Sequence, residues 1–246
     1  MALKSPMAPF VFSGCLVVCA WAGVSWLAGN RLVPTPWQTI SALCQILSQW
    51  QAWQEIAITM FRGMTGLGLA VLAALVTALP AGRSARIMSL LSPVVAALQA
   101  CPPVLWISLL LVWAGQGNSV PLGVVFATVF PLLFVNIAQG AASLDQRLLD
   151  MAKVHMVGRL KVIRHIIWPG VYPYFIAGLS YALGACWKIT AVAEFLGSSD
   201  GMGSRLYWSY RMLELPQLFS WALLLIIMGM FLEILVVRPL RGLRKG

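Results

Sequence analysis

Long apolar runs, most of them close to twenty residues in length, alternate with short polar segments along the chain. A bilayer core of about 30 Å requires roughly 20 apolar residues in each spanning helix. The pattern therefore predicts an all-α, polytopic membrane protein with about six transmembrane helices. The predicted spans cover residues 10–28, 63–80, 90–115, 120–141, 174–195 and 218–237.

The third predicted span is interrupted by proline, at Pro93 and again at the pair Pro102 and Pro103. Proline removes a backbone hydrogen bond and kinks a helix. Carbonyl groups freed in this way are tolerated at membrane depth only where protein or water satisfies them. We therefore expect a helix and a half joined by a kink, packed against other protein rather than against lipid.

A polar segment, residues 143–169, separates the fourth predicted span from the fifth. Ser143 followed by Gln146 matches a capping box and predicts a helix start. The apolar spacing that follows predicts two short helices, with an exposed turn near residues 155–159. An amphipathic loop that rests on lipid headgroups would give the same pattern, so this alternative stays open.

The two short helices are each expected to bury one apolar face. The predicted faces are Leu144, Leu148, Met151 and Ala152 in the first helix, and Val162, Ile163, Ile166 and Ile167 in the second. Pro169 and Pro173 are expected to end the second helix before the fifth span begins, because proline cannot continue the backbone hydrogen-bond ladder.

Composition supports an integral membrane protein, since 60% of the residues are hydrophobic and only 10% are charged. Soluble domains carry roughly a quarter charged residues. The net charge of +10 would suggest nucleic acid as a partner of a soluble protein, but here lysine and arginine follow the loops. With the N-terminus inside, twelve of these seventeen residues fall inside and four outside, which places both termini and residues 143–169 in the cytoplasm.

On this topology the chain divides into four parts: an N-terminal transmembrane helix (1–29), a periplasmic turn with an amphipathic helix (30–62), the transmembrane core (63–237) and a basic cytoplasmic tail (238–246). The amphipathic helix is predicted over residues 37–53, where Trp and Gln suit the membrane interface. No small-x-small cleavage site followed by a soluble domain is evident, so we expect a retained first span rather than a signal peptide.

The residues that could carry chemistry are sparse and scattered. The five cysteines show neither paired nor metal-ligand spacing, and both histidines, His155 and His165, lie in the polar segment. A membrane enzyme would need clustered acids or a nucleophile with its base. The phosphate-binding motif Gly-x4-Gly-Lys-(Ser/Thr) is absent from the sequence. We therefore expect no enzymatic activity, no cofactor and no metal in this chain.

The polar segment also carries a spaced motif. Its positions are Asp150, Met151, Ala152, Ile166, Trp168 and Pro169. At this spacing the segment resembles, without a gap, the coupling loop of ABC importer permeases, Glu-Ala-Ala-x3-Gly-x9-Ile-x-Leu-Pro. Met156 stands where the family has glycine, and Gly158 is expected to take over the turn.

Further motifs, in order over roughly residues 30 to 240, resemble the nitrate/sulfonate/taurine branch of this permease family. They are Arg62 before Gly66, Pro103 and Trp106 with Gly115, Phe130 and Pro131 with Asn136, Pro169 and Pro173 with Gly178, Ala193 with Glu194, and Gly201 with Gly203. Any one of them is a weak signal, whereas their order and spacing are specific to the branch.

This resemblance implies a permease in the bacterial inner membrane that forms the path of a small solute, expected to be anionic. It also implies the partners: a second copy in a homodimer, two separate subunits that bind ATP and magnesium, an external binding protein and the lipid bilayer. The residues implied in the ATPase contact are Asp150, Met151, Ala152, Lys153, His155, Met156, Val157, Gly158 and Arg159.

Five residues within the predicted spans are candidates for the path or its gate. A charge at the position of Lys188 is costly in lipid, so this lysine either lines an anion path or has a structural role. Glu194 is expected to serve as a gate or as a structural hydrogen-bonding group. Asn136 and Gln139 favour interhelical hydrogen bonds over ligand contacts, and Trp106 favours packing.

A secondary transporter or channel is the alternative function, with Lys188 and Glu194 as ion-coupling groups. Internal repeats would favour this class, and no repeat is obvious in the sequence. Co-purification with an ATPase subunit would distinguish the two functions.

Overall fold

The computed structural model describes residues 7–29 and 32–239, in which the chain is helical and contains no strand. This confirms the predicted all-α class. The helices in chain order are α1 (Met7–Leu27), α2 (Pro36–Ser48), α3 (Trp50–Arg83), α4 (Ala85–Ala100), α5 (Pro103–Ala114), α6 (Ser119–Ala142), α7 (Gln146–Val154), α8 (Arg159–Val162), α9 (Trp168–Gly197), α10 (Met202–Arg211) and α11 (Leu215–Leu232), with π-helical turns at Ile163–Ile167 and Glu233–Val237. Of the predicted tail, only residues 238 and 239 are described.

Four helical segments of the described chain are long and apolar enough to cross a membrane. They are Trp50–Arg83, Ser119–Ala142, Arg159–Gly197 and Leu215–Val237. These segments confirm the second, fourth, fifth and sixth predicted spans. Helix α1 is apolar, but the part of it over Gly14–Leu27 is shorter than a spanning helix. The first span, and with it the count of six, stays a prediction.

Helices α4 and α5 form the third predicted span, which is broken by a 96° bend. The break lies at Cys101 and Pro102, where the backbone is extended, and Pro103 is the first residue of α5. A proline at this position removes no helical hydrogen bond. Pro93 lies inside α4, which continues past it. Only one of the two expected interruptions therefore breaks the helix, and we call residues 100–103 the proline elbow.

The amphipathic helix predicted over residues 37–53 is in fact two helices. The backbone is extended at Gln49, where α2 ends. The indole Nε1 of Trp53 donates to the carbonyl oxygen of Leu47 at 3.0 Å, which satisfies one of the groups that a helix end leaves free. Helix α3 begins directly afterwards, at Trp50, and so starts well before the second predicted span.

Helices α3, α6 and α9 pack together as the core of the bundle. One face of α3 consists of buried alanines, namely Ala70, Ala74, Ala78 and Ala81. Small residues of this kind let transmembrane helices approach closely. The row continues at Gly82, where an added Cβ would overlap the carbonyl oxygen of Ala138 on α6. This packing places the polar segment at one end of the bundle and the loops that follow α5 and α9 at the other.

Candidate functional site

The first candidate site is the polar segment, residues 143–169, which forms α7, α8 and the turn between them. Asp145 caps α7, because its Oδ1 accepts a hydrogen bond from the Arg147 N–H at 2.8 Å. The predicted capping box of Ser143 and Gln146 is wrong, since Ser143 ends α6 and its hydroxyl donates to a carbonyl of that helix. A carboxylate satisfies a free N–H and also interacts favourably with the helix dipole.

The face that α7 buries agrees only in part with the predicted one, in which Ala152 is buried and Leu144 partly buried. Leu149 and Ala152 are buried, whereas Leu148 and Met151 are about half exposed. Leucines occupy two adjacent positions here, and adjacent residues lie about 100° apart around a helix. Spacing alone therefore did not decide which leucine faces the core.

The turn after α7 is a Schellman motif, in which the N–H of Val157 donates to the Ala152 carbonyl at 2.9 Å and the N–H of Met156 to the Lys153 carbonyl at 3.0 Å. Met156 has a φ of +50°, the left-handed conformation that glycine commonly adopts at this position. The residue at the family's glycine position is thus the turn residue itself. The expectation for Gly158 is wrong, because its φ is −59° and it precedes α8 as the cap.

The tip of this segment is exposed and partly apolar. Its most exposed apolar side chains are Val154 (79%), Met156 (92%) and Leu160 (83%). Beside them Asp150 accepts hydrogen bonds from Lys153 and Gln146, both at 3.1 Å. These two bonds, that from Lys153 foremost, hold the pKa of the Asp150 carboxyl below its usual value. Exposed apolar groups on an ordered loop indicate a surface that another molecule covers.

The second helix of the segment does not end at Pro169 and Pro173. It continues through the π-helical turn Ile163–Ile167 into α9, so that Arg159–Gly197 is one helical unit of 39 residues. At the junction the N–H of Trp168 donates to the carbonyl of Ile163, five residues earlier. The wider turn accommodates the proline that follows it.

The second candidate site is a polar network at the opposite end of the bundle, formed by Glu55, Thr59, Arg62, Asn118, Glu194, Asp200 and Arg205. We call it the buried polar network because its central residues, Glu55, Thr59, Arg62 and Glu194, are buried, whereas the other three lie at its more exposed rim. At its centre, Arg62 of α3 and Glu194 of α9 form an ion pair of 3.0 Å, with side-chain exposures of 1% and 0%. Arg62 also donates to the Asp200 carbonyl at 2.8 Å, to the Asp200 carboxylate and, through Nε and Nη2, to the Asn118 side chain. All five of its N–H donors are used.

Both carboxylate oxygens of Glu194 accept hydrogen bonds. Its Oε1 faces Arg62, while its Oε2 accepts from the Thr59 hydroxyl at 2.7 Å and from the Gly203 N–H at 3.1 Å. Gly201 has a φ of +95° and lies so close to this carboxylate that an added Cβ would overlap it. The contacts favour the structural alternative for Glu194, that of a carboxylate that holds the loop between α9 and α10.

Glu55 is the second buried acid of the network, and the sequence analysis missed it. It accepts from Arg205 of α10 at 2.8 Å and from the Gly201 N–H. A signal was available, because Glu55, Thr59 and Arg62 are spaced four and three residues apart and therefore share one face of α3. The network thus joins α3, α9 and α10 with the loop before α6.

The third candidate site is a cavity of about 890 Å³ between α9 and α11, which Lys188 lines. Glu233 lines the same cavity. Within residues 7–29 and 32–239, Lys188 takes part in no ion pair. It is exposed while Glu194 is buried, as their six-residue separation on one helix predicts.

The other predicted path residues lie elsewhere, and none of them lines the cavity with Lys188. Asn136 donates to the Leu132 carbonyl of its own helix at 2.9 Å and packs against Gly178, rather than making an interhelical hydrogen bond. Gln139 is exposed. Trp106 packs against the apolar cluster around Val120, Val124 and Ala193, and its buried Nε1 finds no partner in the described chain.

The described chain is thus a bundle of helices long enough to span a membrane, with one broken span and a helical loop at one end. The chain superimposes with a TM-score of 0.60 on a chain from "Inward facing conformations of the MetNI methionine ABC transporter", covering 80% of this chain and 96% of that one. At 15% identity this likeness shows the fold alone.

Residues 66–243 match the family described as "Binding-protein-dependent transport system inner membrane component", and the chain belongs to that family. It is therefore a permease component of an ABC importer. The taurine transport system permease protein TauC of Escherichia coli is 25% identical over 72% of this chain and 66% of its own length. The nitrate import permease protein NrtB of Synechococcus elongatus is 23% identical over 83% of this chain and 77% of its own length. These relatives confirm the resemblance to the nitrate/sulfonate/taurine branch.

Proposed function

We propose that two copies of this chain form the path by which an ABC importer takes up a small anionic solute. An external binding protein delivers the solute, and two separate ATPase subunits, which hold ATP and magnesium, drive the cycle. The chain itself is not an enzyme on this proposal. The names of its relatives, which specify taurine and nitrate, support the class of solute.

The observation that carries the proposal is the exposed apolar tip of the polar segment. Val154, Met156 and Leu160 are among the most exposed large apolar side chains of the described residues, although the N–H groups of residues 155–157 are all hydrogen-bonded within the turn. A helix that presents apolar anchors beside charged groups fits recognition by a partner's groove. We assign residues 150–159 to the ATPase contact.

The same proposal sets the orientation of the chain in the bacterial inner membrane. The polar segment lies in the cytoplasm, where the ATPase subunits are, together with both termini. The buried polar network then lies toward the periplasm. The distribution of lysine and arginine supports this orientation independently.

Met156→Asp tests the ATPase contact, and Leu213→Asp is its matched control. Leu213 also has a positive φ, of +58°, is 75% exposed and ends α10 with the same pair of hydrogen bonds, but it lies at the opposite end of the bundle. The complex is purified in mild detergent through this chain, and the ATP hydrolysis that co-elutes is measured. We expect Met156→Asp to lose it and Leu213→Asp to keep it. Equal retention by both variants, or no ATPase with the parent chain, would overturn the proposal.

The alternative of a secondary transporter requires Lys188 and Glu194 as ion-coupling groups. The contacts of Glu194 speak against it, since Arg62, Thr59 and Gly203 already occupy both carboxylate oxygens. Uptake that continues in cells depleted of ATP, with the proton gradient intact, would favour the alternative.

A further inference from the structure

We infer that Lys188 is the anion-binding group of a water-filled path that follows one face of α9, between α11 and the proline elbow. The inference rests on the proposed function and assigns the charge of the solute to one residue. It goes further, because nothing in the motifs shared with the relatives predicts a lysine here.

A lysine at position 188 would be costly in contact with lipid. Lys188 lies within the spanning segment Arg159–Gly197, about 9 Å along the helix from Glu194. A charged group at this depth costs several kcal/mol if it faces lipid, and such residues therefore face a bundle interior or a water-filled cavity. Lys188 has no ion pair within the described chain, but it lines the cavity of about 890 Å³.

The proline elbow independently indicates water on this side of α9. Residues 101 and 102 are non-helical backbone within a broken span. Such backbone is tolerated at membrane depth only inside protein or beside a water-filled cavity. The elbow lines a cavity of about 290 Å³, and this cavity shares Tyr181, Ala185 and Ile189 with the larger one. Lys188 and the non-helical backbone of the proline elbow, neither of which lipid tolerates, therefore flank the same face of α9.

The chemistry of the lining defines the ligand. Lys188 offers three N–H donors and a full positive charge, and most of the groups around it are apolar. A charge in surroundings of low polarity attracts a small anion and repels a cation more strongly than the same charge does in water. Glu233 lies on the same wall, with its Oε2 3.9 Å from the Cβ position of Gly184, one turn from Lys188. Lys188 is the cation among the described lining residues, so an oxyanion that enters the cavity would contact Lys188 rather than Glu233.

The test introduces one cysteine beside the lysine. Ala185→Cys is made in a chain whose accessible cysteines (Cys15, Cys19, Cys44 and Cys101) are replaced by serine, while the buried Cys186 is kept. An anionic reagent (sulfonatoethyl methanethiosulfonate) and a cationic one (trimethylammonioethyl methanethiosulfonate) are applied to the full chain in membranes. The thiolate attacks the reagent, forms a mixed disulfide and releases methanesulfinate. Only a thiol in contact with water ionises and reacts.

We expect the cysteine of Ala185→Cys to react with both reagents. The rate of labelling by the anionic reagent, divided by the rate of labelling by the cationic one, should fall by about tenfold when Lys188→Met is added. Lys188→Arg keeps the charge and should keep the ratio. Val76→Cys, on an exposed face of α3 away from the cavity, is the control and should not react. The inference would be overturned if Ala185→Cys did not react, or if the ratio of the two labelling rates were the same with Lys188 and with Lys188→Met. The labelling needs neither ATPase nor binding protein, so its failure is distinct from a failure of the co-purification.

Discussion

Replacement of Arg62 by methionine is expected to be among the most destabilising single changes in this chain. The change removes all five hydrogen bonds of the guanidinium and leaves Glu194, which is fully buried, without its cation. Removal of one partner of a buried ion pair typically costs about 3–5 kcal/mol, because the remaining charge is neither hydrated nor paired. We therefore expect Arg62→Met to lower the free energy of unfolding by this amount.

Reversible unfolding in mixed micelles of dodecyl maltoside and SDS measures the effect. Arg211→Met is the control, because Arg211 is exposed and makes a single long hydrogen bond to the Tyr207 hydroxyl; it should change stability by less than about 0.5 kcal/mol. The double variant Arg62→Met with Glu194→Gln should cost at least about 1 kcal/mol less than the sum of its single variants, since the two groups interact directly. The reasoning is refuted if Arg62→Met and Arg211→Met unfold at the same SDS fraction.

Three further outcomes are expected. Met156→Gly should raise the unfolding free energy by about 1 kcal/mol in the same micelle titration, because glycine adopts the left-handed turn without strain; a loss of stability would contradict this. Gly82→Ala should destabilise the chain by about 1–3 kcal/mol, because the added Cβ would overlap the Ala138 carbonyl. Gly68→Ala, whose Cβ would meet open space, should stabilise it by up to about 1 kcal/mol. Equal thermal midpoints of the two variants would refute the close packing at Gly82. Lys188→Met should slow solute uptake by roughly tenfold while the complex still assembles, and normal uptake would favour a structural role for the lysine.

The spans were predictable because hydropathy reports directly on the bilayer. Hydropathy does not report where a helix begins. Helix α3 starts at Trp50, before the predicted span, in a stretch rich in tryptophan and glutamine that hydropathy excludes from a span. The prolines at positions 102 and 103 indicated a possible break in the helix. No sequence rule distinguished them from Pro93, which lies inside α4 without ending it.

The candidate sites also differ in how far the sequence alone could predict them. The spacing of the loop motif placed Met156 at the family's glycine position, but the side chain led us to expect the turn at Gly158, whereas the backbone turns at Met156 itself. The spacing of Glu55, Thr59 and Arg62 could have indicated the polar face of α3, but not its partners, because Arg62 and Glu194 are 132 residues apart and Glu55 and Arg205 are 150 apart. Only the packing of α3 against α9 and α10 brings these pairs together.

The unbroken course of the chain from Arg159 to Gly197 has a mechanical consequence. At 1.5 Å per residue its 39 residues make a rod of about 58 Å, which reaches from the polar segment past Lys188 to the buried polar network. A tilt of about 5° at one end of such a lever displaces the other end by roughly 5 Å, close to one helical turn. A movement of the polar segment would therefore need no intermediate hinge to reach the buried polar network.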